Sequence, residues 1–152
     1  MEKAPELNNK MKILEAEFYH LPKVSIELKI PKNPMSGTLY LEGFIIKDDV
    51  GEEIGDFVLS NSKSLKNEHF ASLNSININE KPKGEGYGKS TYLEIIKHLN
   101  GIKLKSGWQL SRGSFKIWEW LVSQGLAKKI KEGVTNENTE NVAYSSSEYE
   151  TI

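Results

Sequence analysis

The sequence predicts an α+β fold: a mostly antiparallel sheet, then a strand, a glycine-rich loop and a helix. Three observations carry this. Before residue 80 the apolar residues alternate with polar ones, the period of half-buried strands. After residue 90 they recur every three to four positions, the period of helices. Between the two lies KPKGEGYGKS, residues 81–90, with three glycines in five positions. At 152 residues the chain suits a single domain spanning 1–152.

The elements follow in order. Leu7, Met11, Leu14 and Phe18 share one face of a helix over residues 6–18, within an N-terminal element covering 1–20. Pro22 breaks it. Val24, Ile26, Leu28 and Ile30 alternate with polar residues as a strand, and PKNPMSG is a loop. Residues 38–47 and 53–59 read as two strands joined through DDVGEE, a hairpin. A fourth strand holds Phe70, Leu73, Ile76 and Ile78; its broken alternation predicts a bulge. Tyr92, Leu93, Ile96 and Leu99 form a helix face that Asn100-Gly101 ends. Residues 102–110 read as a strand. Either Ser111 or Ser114 caps a second helix, in which Phe115, Trp118, Leu121 and Val122 face inward until Gly125. GLAKKIKEGV continues as a short strand. Val142–Tyr149 is either a last strand or part of an acidic tail over 132–152.

Composition narrows the chemistry. With no cysteine, disulfides, thiolate catalysis and cysteine metal sites are excluded. His20, His69 and His98 are isolated, so no metal site is expected, and no G-x-S-x-G marks a serine hydrolase. No apolar run is long enough for a membrane span, and the polar N-terminus lacks a signal peptide's apolar stretch. A cytoplasmic location away from membranes is therefore expected. The net charge of −1 hides an asymmetry: residues 81–131 hold eleven bases against three acids, while 132–152 hold five acids and no base. The basic segment contains the glycine loop; a positive field there suits a polyanionic ligand, a phosphate-bearing cofactor or nucleic acid, and the same count also fits a solvated lysine surface.

A strand that ends in glycines and opens a helix is a place for an anion. The first turn of a helix has unpaired N–H groups, and its dipole favours negative charge. A nucleotide P-loop would need glycine at position 83, where Lys83 stands, so the G-x-x-x-x-G-K-[ST] register fails by one residue.

Lys83-Gly84-Glu85-Gly86-Tyr87-Gly88 instead resembles the [QR]-x-x-G-x-[GA] loop of the GCN5-related N-acetyltransferases, with Lys83 where Gln or Arg is usual. The resemblance runs over about residues 38–130. It implies that this loop, on through Lys89 and Ser90, binds the pyrophosphate of acetyl-coenzyme A. It places Ile76, Asn77 and Ile78 along the pantetheine arm and thioester. Ser111-Arg112-Gly113-Ser114-Phe115-Lys116-Ile117-Trp118 keeps the spacing of the family's N-x-x-A-x-x-[LF]-Y, which adds Ser111, Ser114 and Trp118 to the cofactor side. Gln124-Gly125-Leu126 resembles its Leu-Gly-Phe. Three departures stand out. Only seven residues separate Ile30 from Thr38, too few for the family's two acceptor-side helices. Trp118 stands where a tyrosine acid is usual, and an indole N–H does not ionise usefully. No acidic side chain lies between Phe70 and Asn79, so a strand glutamate base is missing.

The implied activity is acyl transfer from acetyl-coenzyme A to an amine on a small molecule or a protein. The amine must be neutral, the thioester carbonyl polarised, and the leaving sulfur protonated. Candidate catalytic residues are Glu42, Asp56, Glu68, His69 and Ser111. The departures equally allow a module of this fold that binds a protein partner without catalysis. Nucleic acid is the least favoured partner: Lys103, Lys105, Trp108 and Arg112 mix bases with an aromatic, but no recognition motif accompanies them. An open sheet with edges to protect is compatible with a homodimer.

Overall fold

The computed structural model describes residues 14–34, 40–63, 68–79, 81, 84–107, 109–141 and 144–152. Among these, seven strands form one sheet: β1 (Ser25–Pro34), β2 (Tyr40–Lys47), β3 (Glu53–Lys63), β4 (His69–Ile78), β5 (Lys103–Lys105), β6 (Ala127–Lys131) and β7 (Glu148–Thr151). Their spatial order is β1-β2-β3-β4-β5-β7-β6. Helix α1 (Tyr87–Leu99) crosses from β4 to β5, and α2 (Arg112–Ser123) leads from β5 to β6. Of the described strand pairs only β4–β5 is parallel. The α+β expectation of a mostly antiparallel sheet is met.

One face of the sheet is the core. Register places Phe44, Phe57, Leu59, Ala71, Leu104 and Tyr149 on it, and all are buried. Both α-helices pack there. His98 of α1 meets the Phe44 ring edge-on, Trp118 of α2 stacks on Tyr149, and Tyr92 of α1 touches Trp118. The bulge expected in β4 is present: Val58 pairs with Ser75 and Leu59 with Leu73, leaving Asn74 as the extra residue. That residue resets the pleat, so Leu73 and Ile76 reach the same face despite being three apart.

The sheet's outer edges are protected. β1 carries Pro31 and Pro34 and two register shifts; β6 carries Lys128, Lys129 and Lys131. β1 pairs directly with β2, antiparallel.

Three expectations need correction. Of the helix over 6–18, residues 6–13 lie outside the described residues, and the rest is one 3₁₀ turn, Ala16–Tyr19. It stops at His20, whose left-handed backbone turns its N–H back to the Ala16 and Glu17 carbonyls. The strand over 102–110 shrinks to three residues, because β7 takes over the pairing: Ser106 N–H bonds the Tyr149 carbonyl, and Leu110 forms only an isolated bridge to Ser145. Of the two readings of the acidic segment 132–152, the last strand is the one observed, with its bounds moved from 142–149 to Glu148–Thr151. Glu148–Thr151 enters the sheet, with Tyr149 and Thr151 buried and Glu150 paired to Lys103 and Lys128. The first two positions of the strand read over 142–149 lie outside the described residues.

Candidate functional site

The sheet opens where β4 passes β5. The two strands pair only at Phe70, Ala71 and Ser72; from Leu73 to Ile78 no β5 residue is registered against β4. At the far end of this free edge the chain enters the glycine loop. Gly84 and Gly86 take φ of +86° and +94°, a region that L side chains avoid. Gly86 is the N-cap of α1. It brings no capping side chain, and the first turn has no acidic residue. The first bond of the helix runs from Ser90 N–H to the Gly86 carbonyl, 2.9 Å. The amides of Tyr87, Gly88 and Lys89 therefore have no partner within the helix, and they sit at the positive end of its dipole.

The approach to this loop is fixed from three directions. Asn79 N–H bonds the Ile54 carbonyl at 2.9 Å. Gly55 lies so close to β4 that a Cβ there would fall 2.0 Å from the Asn77 carbonyl oxygen. Asp48, 5% exposed, accepts from the amides of Val50 and Glu52 with one oxygen and faces Lys81 Nζ at 3.3 Å with the other. Burial would raise the Asp48 pKa; the Glu52 amide, Lys81 and the Val50 amide outweigh it and hold the carboxyl below the ordinary aspartate value. The Lys81 ammonium also lies 5.5 Å from the Tyr87 ring centre. On the other side, Leu21 and Pro22 press against Gly86: a Cβ there would meet Leu21 Cδ2 at 2.7 Å.

The predicted cofactor residues fall into three groups. Ile76 and Ile78 are half-buried and Asn77 is exposed, all on the free stretch of β4. Gly84, Glu85, Gly86, Tyr87, Gly88 and Lys89 form the loop and first helical turn, with Gly84 and Glu85 exposed. Lys83 lies outside the described residues, as does Trp108 of the nucleic-acid reading. The remaining side chains have partners within the protein. Ser90 is fully buried and donates its hydroxyl to the Pro22 carbonyl. Trp118 is 1% exposed, held between Tyr92 and Tyr149. Ser111 caps α2, its oxygen accepting from Ser114 N–H at 3.2 Å, while the Ser114 side chain bonds the buried Tyr92 hydroxyl. The Ser90 and Trp118 side chains are thus both packed within the core.

The catalytic candidates do not converge. Glu68 and His69 stand at the start of β4, roughly 23 Å from Ile76 at about 3.3 Å per strand residue. Glu42 accepts from the Asn61 amide at 2.6 Å, nearer that same end of the sheet. Ser111 is committed to its cap. Asp56 is the candidate beside the opening: it is exposed and directly opposite Asn77 on the face without α1 and α2.

Sequence reading missed Asp48 and the Leu21–Pro22 wall. The turn-forming D-D-V-G pattern announces Asp48's bonds to the turn amides. Nothing in it announces Lys81. Among the described residues no group of three or more His, Asp or Glu could hold a metal, and no helix is long and apolar enough to cross a membrane.

A second polar cluster is self-contained. Tyr149 donates its hydroxyl to Glu119, which also pairs with Lys129 at 2.9 Å; Lys129 pairs in turn with Glu132 at 2.9 Å. Burial and then Glu119 push the Tyr149 hydroxyl up, while the Tyr149 bond pulls Glu119 down.

No family model and no curated protein sequence matches the chain. Among solved structures, an acetyltransferase from Thermus thermophilus superposes with a TM-score of 0.48 at 17% identity, over 74% of this chain and 64% of its own. This chain thus spans just under two thirds of that protein's length. Nourseothricin acetyltransferase superposes with a TM-score of 0.39 at 11% identity, over 93% of this chain and 92% of its own. Values this low carry no chemistry across to this chain.

Proposed function

We propose that this chain binds acetyl-coenzyme A and transfers its acyl group to an amine. The observation that carries the reading is the junction of the free β4 edge with the glycine loop and the uncapped start of α1. The loop residues fit a diphosphate: two positive-φ glycines bring backbone close, three amides are free of the helix ladder, and Lys81 and Lys89 add positive charge nearby. The free edge fits the arm that follows, because pantetheine carries two amides and can lie against β4 as an added strand would. The family resemblance in the loop motif agrees with both.

The chemistry then rests largely on positioning. The amine nitrogen attacks the thioester carbonyl, a C–N bond forms, the C–S bond breaks, and sulfur leaves as thiolate. A backbone N–H near Ile78 polarises the carbonyl oxygen. The amine's proton passes to water, and water protonates the thiolate, because buried Trp118 offers no acid. Asp56, exposed opposite Asn77, draws a protonated amine towards the opening and orients it. The burial of Trp118 in a tyrosine's usual place also favours a second reading, in which the ligand is bound and never turned over.

Calorimetry with acetyl-coenzyme A tests the proposal. Gly86 is unsuitable for substitution because Leu21 packs on it. Gly84 has open space around it, and Asn and Asp tolerate positive φ better than other residues. Gly84→Asp should weaken binding more than about tenfold by placing an anion in the site, while Gly84→Asn keeps it. Equal behaviour of the two variants, or no binding by the unmodified chain, sinks the reading. Binding without acetyl transfer to any amine in a polyamine, aminoglycoside and peptide screen selects the non-catalytic form.

A further inference from the structure

We infer that Trp120 and Phe18 form a platform for the nucleobase of the ligand whose diphosphate occupies the glycine loop. The inference rests on that reading of the loop and names what lies next to it. Helices α1 and α2 cross at the loop: a Cβ on Gly88 would meet Ile117 Cδ1 at 2.9 Å. Trp120 is three residues beyond Ile117, one turn along α2 on the same side. Lys89, the third residue of α1, reaches across so that its Nζ lies 5.1 Å from the Trp120 ring centre. The diphosphate loop and an indole are therefore about one helical turn apart, the spacing that a ribose spans.

The 3₁₀ turn completes the platform. Tyr19 meets Trp120 edge-on at 5.0 Å between ring centres, and Phe18 meets Tyr19 in the same way at 5.0 Å. Phe18 is 55% exposed. Its only ring contact among the described residues is Tyr19, and it belongs to no part of the buried core. An exposed ring beside a half-buried indole offers apolar surface on which a flat partner can stack.

Lys89 supplies the means of exposing the indole. Its ammonium rests over the ring, an interaction that is weak at a solvent-accessible position. A phosphate oxygen is a stronger partner for the same ammonium. When a diphosphate enters the loop, Lys89 swings to it and the Trp120 face is freed for a base. Phosphate binding and base stacking are thereby coupled through one side chain. The device selects a nucleotide-bearing acyl donor over one that carries only the phosphopantetheine arm.

The test compares acetyl-coenzyme A, acetyl-4′-phosphopantetheine and ADP by calorimetry. The protein is the full chain, unmodified or carrying Trp120→Leu or Phe18→Ala. Trp120→Leu should weaken acetyl-coenzyme A and ADP about tenfold and leave acetyl-4′-phosphopantetheine unchanged. Phe18→Ala, at an exposed site that does not threaten folding, should weaken the same two ligands by a smaller factor. Equal weakening of all three ligands, or of none, overturns the platform. If ADP binds in a Trp120-dependent way while acetyl-coenzyme A does not, the platform stands and the acyl-transfer reading falls. If the unmodified chain binds acetyl-coenzyme A but Trp120→Leu changes nothing, the loop stands and the platform falls. Binding of none of the three ligands overturns both.

Discussion

The glycine loop and the Tyr149 cluster are built on opposite plans. In the cluster side chains answer one another: the tyrosine hydroxyl is met by Glu119, that carboxylate by Lys129, and Lys129 by Glu132. Around the loop, side chains are removed. Three glycines occupy five positions, the helix cap has none, and the first-turn amides have no helical partner. The first region is satisfied internally and contributes stability. The second leaves donors open and depends on Asp48, Gly55 and Leu21 to hold its shape from outside. A loop built from open backbone amides has to be stiffened by its neighbours.

Substitutions can break or sharpen this contrast. The largest effect is expected for Tyr149→Ala, which empties a fully buried aromatic site and should destabilise the chain by about 4 kcal/mol in urea unfolding. The folded fraction should still bind acetyl-coenzyme A normally; lost affinity would mean that the two regions are not separate. Gly55→Ala comes next. Its Cβ cannot coexist with the Asn77 carbonyl, so β3 and β4 must shift, at a cost of about 3 kcal/mol. Here affinity should fall together with stability, because the strand entering the loop moves.

Tyr149→Phe keeps the ring and removes one hydroxyl from a partly exposed carboxylate, so about 1 kcal/mol is expected by the same unfolding assay. Asp48→Asn keeps an acceptor for the Val50 and Glu52 amides but loses the charge facing Lys81. Its signature is faster hydrogen exchange over residues 79–90 with little change in the unfolding midpoint. A midpoint drop with no change in exchange would assign Asp48 to the hairpin turn alone.

Acid gives the smallest and most gradual effect. Asp48, Glu119 and Glu150 all have folded pKa values below their unfolded ones. Their stabilisation is complete above the unfolded values of roughly 3.9 for Asp and 4.3 for Glu, and is lost as pH falls through the lower folded values. Urea midpoints should therefore be flat from neutral pH to about 5 and decline below about 4. Tyr149→Phe should flatten the part of that decline due to Glu119.

Local structure was legible where one element supplied its own evidence. Alternation gave β2 and β3, the DDVGEE turn gave their hairpin, and the misplaced Leu73 gave the bulge at Asn74. Ser111 was one of two candidate caps, and the Ser114 amide decides between them. What escaped depends on distant partners. β7 is polar and acidic in sequence; it becomes a strand because Lys103 and Lys128 flank Glu150 and because the core accepts Tyr149. Leu14 and Phe18 fit a helix face, yet Tyr19 is drawn to Trp120 and the chain turns at His20. At the site, the glycine positions were visible in the motif. Asp48's hold on Lys81, across 33 positions, was not.

The placement of β7 between β5 and β6 also dictates an order of assembly. β6 ends at Lys131 and β7 begins only at Glu148, yet among the described strands β7 is the sole partner of β6. β6 stays unpaired until residues 148–151 have folded back across the intervening segment to meet it. The β1–β4 meander, whose pairs are all between neighbours in sequence, can form without that delay. Refolding should then show two clocks: an early one in the meander and a later one, set by β7, that completes the packing of Trp118 against Tyr149.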